Sequence, residues 1–250
     1  DKPLPVSTYY TRLTQRLISA MTSPMAEGVL YEVDFRLRPS GNKGPLATHV
    51  DAFRRYQREE AWTWERMSLT RSRPIVGGQM LMEEVGTIIR EAIDVHRHDD
   101  GLAADVAAMR MRIGRDKPAR GPLDLKLIPG GLIDLEFIAQ WAILSGTVAD
   151  TLIGASTANI LDALQSARPE LIDRKLAETM RLFTRIVQLN RLGTGSARTV
   201  EDLPRGLAER MARAIGQEEI AGIEPEIARR AATVRAAFEE LLPLADAKAG

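Results

Sequence analysis

The stretch VLYEVDFRLRPSGNKG, residues 29–44, departs from the helical pattern of the rest of the sequence. From Val29 to Leu37 every second side chain is apolar. The charged residues of the opposite face are Glu32, Asp34, Arg36 and Arg38. A period of two is typical of a half-buried β-strand, in which side chains of one face lie about 7 Å apart. The Pro-Ser-Gly that follows predicts the end of this strand.

Outside this stretch the sequence predicts helices, because Ala, Leu, Arg and Glu dominate and only 5% of residues are aromatic. A first helix is predicted from Ser7 to about Met21, with a buried face formed by Tyr10, Leu13 and Leu17. The other predicted elements are helices at 50–67, 79–97, 102–115, 131–145, 156–166, 169–192, 200–216 and 224–242, a short strand at 69–76 and an extended segment at 122–128. The predicted fold class is therefore mainly α, with a small α/β piece of few strands at 1–78 followed by a helical bundle at 79–250.

Composition excludes several classes of protein. The 34 basic residues balance 34 acidic ones, so the chain has no overall field for gathering nucleic acid. Cysteine is absent, which excludes disulfides, thiolate metal sites and cysteine nucleophiles. No apolar run approaches the roughly 20 residues of a membrane span, and the first residues lack the order of a signal peptide. These features predict a cytoplasmic protein that binds neither nucleic acid nor membrane.

The charged face of the predicted strand suits a site for a metal–triphosphate complex. Asp34 is the candidate metal ligand, because carboxylates hold Mg²⁺. Guanidinium and ammonium groups meet phosphate oxygens. The candidate phosphate-binding residues are Arg36, Arg38, Lys43, Arg71 and Arg73, the last two on the short strand at 69–76. An exposed strand face carrying surface ion pairs explains the same pattern, and the pattern alone leaves both interpretations open.

The sequences of four segments resemble those of the adenylyltransferase family that modifies glutamine synthetase. VDFRLRPSGNKGPL (33–46) is followed by AFRRYQREEAWTWERMSLTRSR (52–73), and DLKLIPGGLIDLEFIAQ (124–140) is similar to the glycine turn and helix of that family. The helix sequence YYTRLTQRLISAMT (9–22) also fits. Ala61 to Glu65, AWTWE, resembles the C-terminal, adenylylating half of a family whose two related halves add and remove AMP.

The resemblance implies attack by a tyrosine hydroxyl of glutamine synthetase on the α-phosphorus of ATP, with Mg²⁺ as cofactor and pyrophosphate as product. Asp34 stands where that family has the third of three acidic metal ligands, close to the attacking oxygen and a candidate base. Arg36 and Arg38 are implied to bind phosphate or to order the strand. ATP, glutamine synthetase and a PII signal protein are the expected partners.

The sequence departs from the family pattern before Asp34. No Gly-Ser turn followed by Asp-x-Asp precedes that residue. We therefore expect the chain to begin after this part of the site, and to have little or no transferase activity alone. The alternative expectation is a helical module that docks glutamine synthetase or a PII protein without catalysis.

Two further groups of polar residues are assigned structural roles. Asp134 and Glu136, after Lys126 and the glycine pair, are predicted to cap a helix rather than to bind a ligand. The histidines of VHRHDD, residues 95–100, resemble the His-Asp pair of metal phosphohydrolases, but without a second His or Asp set at suitable places. They are predicted to lie at a solvated helix end.

Overall fold

The computed structural model describes residues 3–29, 33–97, 99–195 and 197–244. Ten α-helices and one two-stranded antiparallel ladder form in these residues, which confirms the mainly α fold class. Strands β1 (Pro24–Met25) and β2 (Gly28–Val29) make the ladder. The helices are α1 (Val6–Thr22), α2 (Val50–Glu59), α3 (Thr63–Leu69), α4 (Gln79–Asp94), α5 (Leu102–Asp116), α6 (Leu132–Leu144), α7 (Thr157–Ala167), α8 (Leu176–Gly193), α9 (Arg205–Ala214) and α10 (Ile223–Leu241).

Helix α6 lies at the centre of the hydrophobic core. Nine of its 13 residues are buried, so it is apolar on nearly all sides. It packs against α3, α4, α5, α7, α8 and α10. Leu135 and Ile138 are completely buried, as are Phe183 on α8 and Val234 on α10. No helix in the described part of the chain has the length and apolar character to cross a bilayer.

The turn before α6 is fixed by close backbone contacts. Gly130 has a φ of 75°, and a Cβ there would lie 1.8 Å from the carbonyl oxygen of Ala231 on α10. A glycine is required here because any side chain would push α10 away. The segment at 122–128, predicted to be extended, instead forms turns whose carbonyl groups bond to the residues that start α6.

Asp134 on α6 is completely buried and joins three parts of the bundle. Its carboxylate pairs with the buried Arg110 of α5, accepts the Gly130 N–H at 2.7 Å and lies 3.3 Å from Arg235 Nη1 of α10. The Arg110 guanidinium also donates to the carbonyl oxygens of Leu127 and Ile128. Asp134 thus accepts the N–H of Gly130, which precedes the N-cap residue Gly131, and no side chain among the described residues caps α6. Its role is structural, but through two arginine partners that were not foreseen rather than through the predicted cap.

Helix α1 forms where it was predicted, but it has no buried residue. The side chains expected to be buried are about half exposed: Tyr10 by 52%, Leu13 by 50% and Leu17 by 58%. The prediction of a buried face is therefore wrong for the described residues. Periodicity shows which residues share a face of a helix, and it does not show what packs against that face.

The predicted helix at 50–67 is divided into α2 and α3 by a break at Glu60 to Trp62. The N–H groups of Glu60 and Ala61 both donate to the Tyr56 carbonyl oxygen, which ends α2. The Glu65 carboxylate accepts the Trp62 N–H at 2.9 Å and starts α3. Its other oxygen accepts the Tyr56 hydroxyl at 2.7 Å, so one carboxylate ties both helices together.

Helices α2 and α3 pack on the bundle across the predicted division near residue 78. Arg54 on α2 donates to Glu91 at 2.6 Å and to Glu84 at 3.3 Å, both on α4. Helix α3 packs against α4, α5 and α6. The division into an α/β piece at 1–78 and a bundle at 79–250 stays a prediction.

Candidate functional site

Asp34 and Arg36 form an ion pair on the surface. Arg36 Nη2 lies 2.5 Å from Asp34 Oδ2, and Arg36 Nε lies 2.9 Å from Asp34 Oδ1. The Arg36 side-chain hydrogen bonds, aided by the Arg36 backbone N–H, lower the pKa of the Asp34 carboxyl to about 2. Asp34 is therefore ionised at neutral pH. Both side chains are more than half exposed, so solvent and ligands reach them.

The strand predicted around Asp34 does not form in the described residues. Val33 to Phe35 have no regular secondary structure and Arg36 to Leu37 form a turn, while 30–32 lie outside the described residues. The Asp34 carboxylate accepts the backbone N–H of Arg36 at 2.9 Å, which is a local bond that competes with an extended ladder. A strand also requires a neighbouring strand, and the described residues hold only the two-residue ladder of β1 and β2.

Arg38 is engaged with the backbone of its own loop. Its Nη1 donates to the Phe35 carbonyl oxygen at 2.6 Å, its Nε to Gly44 at 3.2 Å and its Nη2 to Asn42 at 3.4 Å. No carboxylate forms an ion pair with Arg38 among the described residues. Arg36 therefore carries the accessible guanidinium, while Arg38 is half-buried beneath the loop.

Lys43 ends a short 3-10 turn, Gly41–Lys43, and its side chain is exposed. The turn follows Ser40, which has a left-handed φ of 60°. Burial and the hydrogen bond to Glu65 raise the pKa of the Tyr56 hydroxyl, while the nearby Ser40 N–H acts in the opposite direction. Tyr56 therefore lies between this turn and the junction of α2 with α3.

Arg71 and Arg73 lie in a different segment from the loop of Asp34. The strand predicted at 69–76 is wrong, because α3 continues to Leu69 and residues 72–75 have no regular secondary structure. Arg71 pairs with Glu136 of α6 at 3.5 Å. The Ser72 carbonyl group and the Cβ of Arg73 lie beside Gly154, whose N–H donates to the Thr70 carbonyl oxygen. No hydrogen bond or ion pair within the described ranges joins these two arginines to the loop.

Residues 2–86 match the family model described as glutamate-ammonia ligase adenylyltransferase. The chain is 47% identical over 244 residues to the bifunctional glutamine synthetase adenylyltransferase/adenylyl-removing enzyme of Brucella suis. It is 45% identical over 241 residues to the enzyme of the same description from Agrobacterium fabrum, and 38% identical over 239 residues to that from Caulobacter vibrioides. These matches cover 97%, 95% and 94% of this chain.

This chain is a homologue of glutamine synthetase adenylyltransferases. The resemblance expected from the segments around Asp34 and Gly130 is thereby confirmed. The chain spans about a quarter of the length of the curated relatives it matches, 25% of the Brucella suis enzyme and 24% of the other two. The loop of Asp34, Arg36, Arg38 and Lys43 lies inside the stretch matched by the family model, and so do Arg71 and Arg73.

One side chain in this loop, that of Asp34, is chemically suited to bind a magnesium ion. Mg²⁺ takes oxygen ligands, often one or two carboxylates together with substrate phosphates. The ionised Asp34 carboxylate fits as one such ligand. Among the residues that the structure describes, no group of three or more His, Cys, Asp or Glu side chains could hold a metal ion. This loop by itself therefore offers one carboxylate, which does not make a complete metal site.

A buried polar cluster between α3 and α4 was missed by the sequence analysis. His96 is only 7% exposed, so its prediction as a solvated residue is wrong, and His98 lies outside the described residues. Arg66 Nη1 lies 3.2 Å from His96 Nε2, and Asp99 Oδ2 lies 2.9 Å from His96 Nδ1. Since a guanidinium only donates, Nε2 accepts and Nδ1–H donates to Asp99. The buried Arg66, 30 residues earlier in the chain, is the partner that sequence spacing could not reveal.

Proposed function

We propose that this chain contributes to the ATP-dependent adenylylation of a tyrosine of glutamine synthetase. The observation that carries the proposal is the loop at residues 34–43. An accessible carboxylate ionised at neutral pH, an accessible guanidinium and an exposed ammonium group lie there, within the part of the chain that matches the family model. A metal–nucleotide complex presents a cation and phosphate oxygens together, which suits this mixture of charges.

The residues of the loop have distinct roles in this proposal. Asp34 supplies an oxygen ligand to Mg²⁺ and lies close to the tyrosine oxygen that attacks the α-phosphorus. Arg36 exchanges the Asp34 carboxylate for phosphate oxygens, which it can meet with two donors at once. Lys43 adds a positive charge for the leaving pyrophosphate. Arg71 and Arg73 add further positive charge near the phosphate groups in the assembled enzyme. Bound Mg²⁺ supplies charge neutralisation and makes the tyrosine hydroxyl more acidic.

The chain alone has little or no activity in this proposal. The loop offers one carboxylate, and a two-metal transferase site uses several. The curated relatives are about four times as long as this chain, since it covers 25% of the Brucella suis enzyme. The half that this chain represents is proposed to be the adenylylating one, on the AWTWE segment at residues 61–65.

Transfer of labelled AMP from ATP to glutamine synthetase tests the proposal. A polypeptide of the relatives' length that contains this chain should transfer AMP, and Asp34→Asn should lower the rate about a hundredfold or more. The matched control is Asp116→Asn, because Asp116 is also an exposed carboxylate beside an arginine, with 3.5 Å to Arg115 Nε. It should leave the rate unchanged. Equal rates for Asp34→Asn and the wild type would refute the role of Asp34, and rapid transfer by the 250-residue chain alone would refute its dependence on further residues.

A second proposed function is docking by the bundle. Helices α4 to α10 contain most of the buried core, and no residue at 33–44 belongs to that core. In this proposal the bundle binds glutamine synthetase or a PII signal protein without the loop of Asp34. Binding of the chain to each immobilised protein measures this directly. Affinity that is the same for the wild type and Asp34→Asn supports docking by the bundle, whereas no binding to either protein excludes it.

A further inference from the structure

Arg38 differs from the other cations of the loop in what its guanidinium contacts. The Arg36 guanidinium bonds to a side chain, and the Arg36 side chain is 75% exposed. Arg38 bonds to three backbone carbonyl oxygens, those of Phe35, Asn42 and Gly44. Three of the five N–H donors of Arg38 are therefore directed to the backbone, which leaves one on Nη1 and one on Nη2. Arg36 and Arg38, two residues apart, therefore have different binding partners and different roles.

The bonds of Arg38 are placed on either side of the proposed ligands. Phe35 follows Asp34 directly, and Gly44 follows Lys43 directly. One rigid, planar guanidinium bonds to both of these neighbours, at 2.6 Å and 3.2 Å. It therefore restrains the distance between the backbone segments that carry Asp34 and Lys43.

The backbone between these anchors needs such support. Ser40 has a left-handed φ of 60°, which is unfavourable for a residue with a side chain and persists only where surrounding contacts impose it. A Cβ at Gly44 would lie 1.9 Å from the Pro39 carbonyl oxygen, so the two ends of the loop are in close contact. The loop's own bonds are few: Gly41 N–H to Arg38 at 2.8 Å, Lys43 to Ser40 at 3.2 Å and Gly44 to Gly41 at 3.1 Å.

We propose that Arg38 is a positioning residue, which holds the loop closed so that Asp34 and Lys43 meet the metal–nucleotide complex at a fixed separation. The inference rests on the proposed function for the identity of that ligand, and on the three carbonyl bonds for the role of Arg38. Arg36, by contrast, contacts the ligand directly. The same substitution at these two positions should therefore have different consequences, on loop order and kcat at Arg38 and on KM for ATP at Arg36.

Arg38→Lys and Arg36→Lys form a matched pair, since each retains the charge and removes the planar fork. The first readout is millisecond hydrogen exchange of the Gly41, Lys43 and Gly44 amides in this 250-residue chain. Arg38→Lys should speed their exchange about tenfold or more, because a lysine cannot bond to all three carbonyl groups. Arg36→Lys should leave them as in the wild type, and amides of α6 should be unaffected in both variants.

The second readout separates kcat from KM for ATP in the polypeptide of the relatives' length. Arg38→Lys should lower kcat about tenfold or more with little change in KM, because a misplaced ligand acts on the reaction rather than on binding. Arg36→Lys should chiefly raise KM. Unchanged loop exchange in Arg38→Lys would overturn the proposal. A raised KM with unchanged kcat would also overturn it and would make Arg38 a ligand. If the longer polypeptide transfers no AMP at all, the proposed function fails, while the exchange result still decides whether Arg38 orders the loop.

Discussion

The first 81 residues and the bundle that follows them bury their apolar side chains very differently. Of the 20 large apolar side chains that are exposed in the described part of the chain, 15 lie at or before Leu81. Of its 40 buried apolar residues, only Ala61 and Met67 lie before that point. Hydrophobic burial therefore stabilises the bundle, whereas hydrogen bonds and ion pairs at the surface hold the loop of Asp34. Substitutions in the bundle should change stability, and substitutions in the loop should change AMP transfer.

The largest loss of stability is expected for Asp134→Ala. Removal of this carboxylate leaves the buried Arg110 guanidinium without its ion-pair partner, and the loss of one member of a buried pair costs about 3–5 kcal/mol. Urea unfolding followed by circular dichroism measures the difference. Glu136→Gln, two residues along the same helix, removes the more exposed ion pair with Arg71, in which Arg71 Nη1 lies 3.5 Å from Glu136 Oε1. This substitution should lower the free energy of unfolding by less than about 1 kcal/mol. Similar losses in both variants would show that burial of Asp134 does not set its contribution.

Leu135→Ala should destabilise the protein nearly as much. Leu135 is completely buried in α6, and a Leu→Ala change in such a place costs about 2–5 kcal/mol. The same substitution at Leu13 of α1, which is 50% exposed, should cost less than about 1 kcal/mol. The difference in unfolding free energy between the two variants tests the comparison between the regions. Equal effects would mean that α1 is packed as firmly as the bundle.

The sequence predicted what depends on local periodicity. The helices predicted at 79–97 and 131–145 correspond to Gln79–Asp94 and Leu132–Leu144, because apolar spacing and glycine stops are local signals. The grouping of Asp34, Arg36, Arg38 and Lys43 also followed from sequence proximity. The strands did not follow, because a ladder needs a partner that spacing within one segment cannot identify. The burial of His96 depends on Arg66, 30 residues away in the chain, and the carbonyl partners of Arg38 depend on a turn that no pattern specified.

A smaller effect is expected from Glu226 in the bundle as the pH falls. Hydrogen bonds from Arg229, and then from Arg230, lower the pKa of this carboxyl from its usual 4.5 to about 2, against the opposing effect of burial. A lowered folded-state pKa stabilises the fold fully above about pH 4.5. Because the Arg229 partner is exposed and the pair is screened by solvent, that contribution is on the order of 1 kcal/mol, and it is lost as the pH falls towards 2. Glu226→Gln should therefore flatten the decline of unfolding free energy between pH 5 and pH 2. Glu239→Gln, which alters an exposed pair with Arg235, is the control that should leave the decline as it is.

The smallest change in stability is expected for Asp34→Asn, although its pKa, like that of Glu226, is lowered to about 2. Its carboxylate is 54% exposed and its arginine partner 75% exposed, so water replaces the pair when it is broken. The urea midpoint of the 250-residue chain should be the same for Asp34→Asn and the wild type. The same substitution in the polypeptide of the relatives' length should abolish most of the AMP transfer. A shifted midpoint would mean that Asp34 is part of the framework of the protein. An unchanged midpoint would show that this surface ion pair contributes charge to the site and nothing measurable to stability. Asp134, whose buried ion pair stabilises the bundle, is the opposite case.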